Sequence, residues 1–262
     1  MRLHLFQVPL VALLFAGPLL AQDAHTAHVT GMAAAAQPGF EVATIKLHDP
    51  DSRHDGIDTG PDRVMIWNQT VAKMITFAYA VNKRQIVDAP DWMLNESFDI
   101  QGKPDAAGEP NWDQVREMLQ KLLADRFGLR FHRERRELPV YALQILKGGP
   151  KFAATVDPTG MPQEHSEGHG MWSEHTYASS RMADFILIEQ FWLDRPVVDQ
   201  TGLTGKYDFK LRYTYNEIRN TDPDAPPGLF TAVQQQLGLK LQPVKAPVDV
   251  LVIDQVQKPT EN

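Results

Sequence analysis

At 262 residues the chain is longer than a typical single domain and suits two intimately packed halves. Its 43% hydrophobic and 23% charged residues argue against a disordered or fibrous protein. A formal net charge of −7 without a long Lys/Arg run argues against a surface that tracks nucleic-acid phosphates, and the lack of cysteine excludes disulfides, thiolate zinc sites, iron–sulfur clusters and Cys nucleophiles.

Arg2 followed by the apolar stretch 8–20 reads as a secretory signal, residues 1–21, cleaved after Ala21. The stretch is shorter than the ~20 residues of a membrane span. No later segment reaches that length, so the expected product is exported, periplasmic or extracellular, with no transmembrane segment after cleavage. Residues 22–39, with His25 and His28, read as a flexible leader ending at Pro38-Gly39. Residues 40–46 alternate as a first strand, and 48–62 are turn-rich. From Thr70, a natural N-cap, Val71, Met74, Ile75, Ala78 and Val81 follow helical spacing. Two short extended segments, 85–88 and 96–102, precede a second helix marked by Val115, Met118, Leu119, Leu122 and Leu123, which should stop at Gly128. Residues 129–132 and 139–146 read as strands joined by a charged connection.

The same order then recurs. A helix around Met182, Phe185, Ile186 and Glu189 precedes extended segments at 196–199 and 206–212, a helix over 229–237 ending at Gly238, and strands 239–242 and 247–254. Met74 and Met182 are 108 positions apart, Asp99 and Asp208 109, Gly128 and Gly238 110, and Pro139 and Pro247 108. The expected fold is therefore α+β: a tandem duplication of helix-strand-strand units, with mainly antiparallel sheets and helices packed on one face. Its halves would be 40–155 and 180–262, joined by a His-rich linker over 156–179.

That linker holds the nearest approach to a metal motif, His165, His169 and His175 among Glu164, Glu167 and Glu174. The spacing matches no HExxH pattern, and the expectation is a solvated segment without metal; no cofactor is expected. No G-x-S-x-G and no phosphate-cradling glycine loop occurs. Asp99 and Asp208 hold equivalent places, either as paired carboxylates or, by strand alternation, on solvent faces. Trp67, Trp92, Trp112, Trp172 and Trp192 belong either to the core or to a stacking platform. Arg133, Arg135 and Arg136 distinguish the first copy from the less charged 243–246 of the second. On an exposed connection they suit a carboxylate or phosphate, or else local ion pairs.

Five stretches, FEVATIK (40–46), MLQKLLADRF (118–127), HRERRELPVY (132–141), PVVDQTGLTGKYDF (196–209) and APVDVLVID (246–254), resemble the soil-associated, acidobacteria-expanded family of exported bacterial proteins of unknown function. The resemblance runs from about Phe40 to the C-terminus. It implies a signal peptide and many paralogues, and it supplies no catalytic residues. Two readings follow: a non-catalytic envelope or secreted module binding an unidentified ligand or protein partner, or a hydrolase with dispersed residues or a metal at His165, His169 and His175.

Overall fold

The computed structural model describes residues 31–215 and 224–260. The expected signal segment and residues 22–30 of the leader lie outside the described residues.

In the N-terminal half, β1 (Phe40–Leu47), β2 (Gly56–Gly60) and β3 (Arg63–Thr70) lead into α1 (Val71–Tyr79), a 3-10 turn (Lys83–Gln85), β4 (Ile86–Val87), α2 (Asp91–Asn95), β5 (Ser97–Pro104), α3 (Trp112–Arg126) and the long β6 (Arg130–Ile145). The C-terminal half contains β7 (Ala153–Ala154), β8 (Gln163–His169), β9 (Trp172–Ser180), α4 (Met182–Glu189), a 3-10 turn (Gln190–Trp192), β10 (Val197–Asp199) and β11 (Tyr207–Thr214). It ends in α5 (Leu229–Ala232), which continues as a π turn (Val233–Leu237), and in β12 (Leu239–Gln255). The α+β class with mainly antiparallel sheets is thus the observed architecture.

Three four-stranded sheets are formed. The outer two have orders β1-β5-β3-β2 and β7-β11-β9-β8, and the central one is β10-β6-β12-β4. The central sheet is built by exchange: β4 lies parallel on β12, β10 lies parallel on β6, and β6 and β12 pair antiparallel with Leu138 opposite Ala246. Each half therefore supplies an edge strand to the other half's long strand.

Local chemistry sets the helix boundaries. The Thr70 hydroxyl accepts the Lys73 N–H to start α1, and Asn111 and Gln114 form a reciprocal capping box at α3. Ile75, Met118, Leu119, Phe98 and Phe127 anchor one core cluster, and Tyr177, Phe185, Phe209 and Leu211 another. Both clusters take residues from β12.

Four expectations are corrected. The His-rich segment is no linker: β8 and β9 form a hairpin in which Ser173, His175 and Tyr177 face inward. Period-2 alternation of polar side chains carries that strand, so it lacks an apolar signature. The charged connection over 133–138 is not a loop but the middle of β6, held by backbone bonds to β12. Residues 31–39 are tied down, since Met32 N donates to the Glu109 carbonyl at 2.7 Å, Gln114 Nε2 to Ala33 O at 2.9 Å and Gly39 N to Asp105 Oδ1 at 2.8 Å. Asp99 is 8% exposed rather than solvent-facing, because a bulge in β3 turns the Asn68 N–H onto it at 3.1 Å and His48 Nδ1 reaches it at 2.7 Å.

Candidate functional site

The helices that follow β3 and β9 end beside each other. Asn82, which caps the turn after α1, is almost fully buried, and its Nδ2 donates to Gln190 O at 3.2 Å and Leu193 O at 3.1 Å. Gln190 Nε2 returns a bond to Ala80 O at 3.3 Å. These reciprocal amide contacts join the two halves and satisfy carbonyls that the ends of α1 and α4 leave open.

Around this junction lies a cavity of about 1180 Å³. The N-terminal half lines it with Met74 and Phe77 of α1, Ile57 of β2, and Trp112 and Arg116 of α3. The C-terminal half adds Glu164, Ser166 and His175 from the hairpin and Leu187, Ile188, Phe191 and Trp192 from α4 and its turn. Trp192 (58% exposed), Leu94 (50%), Phe191 (48%) and Trp112 (48%) keep large apolar surfaces in contact with water at its margin. Clustered exposure of such side chains marks a binding surface.

A polar network forms one wall. His175 Nδ1 faces Glu164 Oε1 at 3.0 Å and Glu189 Oε1 at 3.7 Å, while Nε2 meets Ser173 Oγ at 2.8 Å. The Tyr177 hydroxyl donates to Glu189 Oε1 at 2.8 Å, and Glu189 Oε2 and the Tyr213 hydroxyl are buried without a hydrogen-bond partner among the described residues. Burial holds the Glu189 carboxyl above its ordinary range, partly opposed by His175 and the Tyr177 hydroxyl. For His175 burial works against the charge, but Glu164 and Glu189 outweigh it and the imidazole titrates above 6.5. Burial and Glu189 push both tyrosines far up. The row Ser173–His175–Glu164 has the contacts of a nucleophile, a base and an orienting acid. Yet Ser173 is 1% exposed and does not line the cavity, so its hydroxyl anchors the imidazole instead of meeting a substrate.

Arg116 also lines the cavity. Its side chain is 14% exposed, its guanidinium sits 5.3 Å from the Phe77 ring centre, and Nη1 pairs with Asp113. Nε is buried without a hydrogen-bond partner among the described residues. Burial, offset in part by Asp113, lowers the guanidinium's proton affinity.

The residues singled out from sequence are placed as follows. His165 and His169 project from the hairpin face that carries Thr176 and Trp172, whereas His175 projects from the other, so the three imidazoles form no common ligand set. Among the described residues no group of three or more His, Cys, Asp or Glu is arranged to hold a metal ion. Arg133 and Arg135 point to one side of β6 and Arg136 to the other, where its Nε donates to Glu134 at 2.8 Å. Asp99 and Asp208 stay apart, each accepting a bulge N–H in its own half, from Asn68 and Ser179 respectively. Trp112 and Trp192 reach the cavity, while Trp172 is held between His169, 4.0 Å from its ring, and Arg212 at 4.8 Å. Asn82, Arg116 and Gln190 went unread in the sequence. Glu189 did leave a signal, a carboxylate at an inward position of the α4 pattern.

Neither the curated proteins nor the solved structures include a match to this chain. A family model matches residues 72–256, from α1 to just past β12. Because the match covers most of the chain, the protein belongs to the family described as "Protein of unknown function (DUF3738)".

Proposed function

We propose that this protein is an exported ligand-binding module, made by tandem duplication, whose site is the cavity between its halves. The observation that carries the reading is the cavity itself: about 1180 Å³, walled by both halves and rimmed by Trp112, Phe191 and Trp192. Duplication is supported by the corresponding strand orders of the outer sheets, by the mutual exchange of β4 and β10, and by the bulge pairs Asn68–Asp99 and Ser179–Asp208. Export is supported by the sequence of residues 1–21. Two copies that meet face to face create a pocket that neither owns, a common origin for binding sites at domain boundaries.

The hydrolase alternative draws on the row Glu164–His175–Ser173, and the burial of Ser173 speaks against it. Protein purified from native envelope fractions should release a small molecule on organic extraction. Ser166→Trp, at an exposed strand position lining the cavity, should fold normally and lose it. Undiminished cargo in that variant would place the site elsewhere.

A further inference from the structure

Resting on that reading of the cavity, we propose that its occupant is an apolar molecule with one anionic head group, a carboxylate on an aliphatic or aromatic body, and that Arg116 receives the head.

Arg116 is the most deeply placed charge on the wall that lacks a complete set of partners. Among the described residues its one ion pair is through Nη1 to Asp113, a residue whose own side chain is 82% exposed and therefore screened by water, with Asp184 a weaker neighbouring charge. Nε is sealed from solvent and has no acceptor among the described residues, so a ligand meets the exposed remainder of the side chain. The planar fork of a guanidinium matches the two oxygens of a carboxylate. Phe77 under the guanidinium holds its plane in place.

The remaining wall charges agree. Asp55 accepts from Gln69 Nε2 at 2.6 Å, Glu164 faces His175, and Asp194 accepts from the Tyr141 hydroxyl at 2.8 Å, so the acidic groups are engaged within the protein. Lys73 and Lys83 also line the cavity, are exposed, and form no ion pair among the described residues. The uncommitted charge of the cavity is thus positive in a chain whose formal net charge is −7. Met74, Phe77, Leu187, Ile188, Trp112 and Trp192 supply the apolar surface for the body of such a ligand.

The test titrates the full mature chain with three families of straight-chain probes, carboxylates, alcohols and trimethylammonium salts, each from hexyl to hexadecyl, by calorimetry and tryptophan emission. The best carboxylate should bind about tenfold tighter than the matching alcohol, the worth of a charge-assisted hydrogen bond, and the ammonium should bind weakest. Arg116→Gln should reduce the carboxylate to the alcohol's affinity while leaving the alcohol unchanged, which also reports that the fold is intact. Asp113→Asn, which releases the competing Nη1, should tighten the carboxylate; this second variant decides the matter should the first fail to fold. Equal binding of carboxylate and alcohol to the wild type would overturn the anionic head while leaving the cavity reading in place. Failure of all three families to bind would overturn both.

Discussion

The backbone N–H of Asn68, held at a φ of 53°, donates to the buried carboxylate of Asp99 at 3.1 Å. The bond fixes a bulge where β3 leaves its register with β5 and hands the chain to α1, whose Met74 and Phe77 form a wall of the cavity. Ser179, at a φ of 49°, and Asp208 make the corresponding bond at 2.8 Å just before α4. Asp99→Ala should cost about 1–3 kcal/mol, the penalty for a buried donor left without its acceptor. Asp208 is exposed, so its alanine variant should cost less. Urea unfolding of both variants measures this, and equal losses would show that burial of the bond is immaterial.

Gly128 and Gly238 end the second helical segment of each half at φ values of 57° and 67°. A methyl at Gly238 would stand 2.3 Å from the Gly149 carbonyl oxygen, whereas one at Gly128 would meet the Gln257 side chain at 3.3 Å. Both alanine variants should suffer the left-handed penalty of roughly 1–2 kcal/mol. Only Gly238→Ala must also move backbone, so its melting temperature should fall further. The reverse ranking in thermal unfolding would contradict this geometry.

His175 and Glu189 both titrate above their ordinary values, 6.5 and 4.5. A group raised on folding contributes stability that is fully present below its unfolded value and is lost as pH rises through its folded value. Stability should therefore decline with rising pH, Glu189 contributing to the loss from about 4.5 upward and His175 from about 6.5. Hydrogen bonds from Lys210 and the Tyr141 hydroxyl hold Glu174 and Asp194 below their ordinary ranges, and their contribution disappears on the acid side instead. His175→Gln should flatten the slope between neutral and mildly alkaline pH. An unaltered slope in denaturation at stepped pH would remove His175 from this role.

Since β4 rests on β12 and β10 on β6, a fragment spanning 31–150 or 151–260 lacks the strand that the other provides. Each fragment expressed alone should show little cooperative unfolding, and co-expression should restore a single transition. Independent two-state folding of either fragment would mean that the exchanged strands contribute little.

The proposed export predicts a mature chain that begins at Gln22 and is recovered without detergent. N-terminal sequencing of the native protein checks it, and Met1 retained in a membrane pellet would refute it. Among the described residues no helix is long and apolar enough to cross a membrane.

By itself the sequence located the elements whose signal is local. Thr70 and the stripe Val71, Met74, Ile75 and Ala78 mark α1, and Gly128 and Gly238 mark helix ends, because capping and 3.6-residue periodicity depend on near neighbours along the chain. That the chain belongs to a family of unknown function was legible for the same reason, since contiguous motifs survive without knowledge of contacts. Tertiary structure decided the site. His165 and His175, ten positions apart, lie on opposite faces of a hairpin, while Arg116 and His175, 59 positions apart, line one cavity. Strand pairing turns a charged stretch into the middle of β6, and a bulge carries Asp99 out of water, because backbone hydrogen bonds between distant segments outweigh the polarity of the side chains they carry. Where two amphipathic halves meet, which side chains stay unpaired is set by their relative placement, a quantity with no local record in the chain.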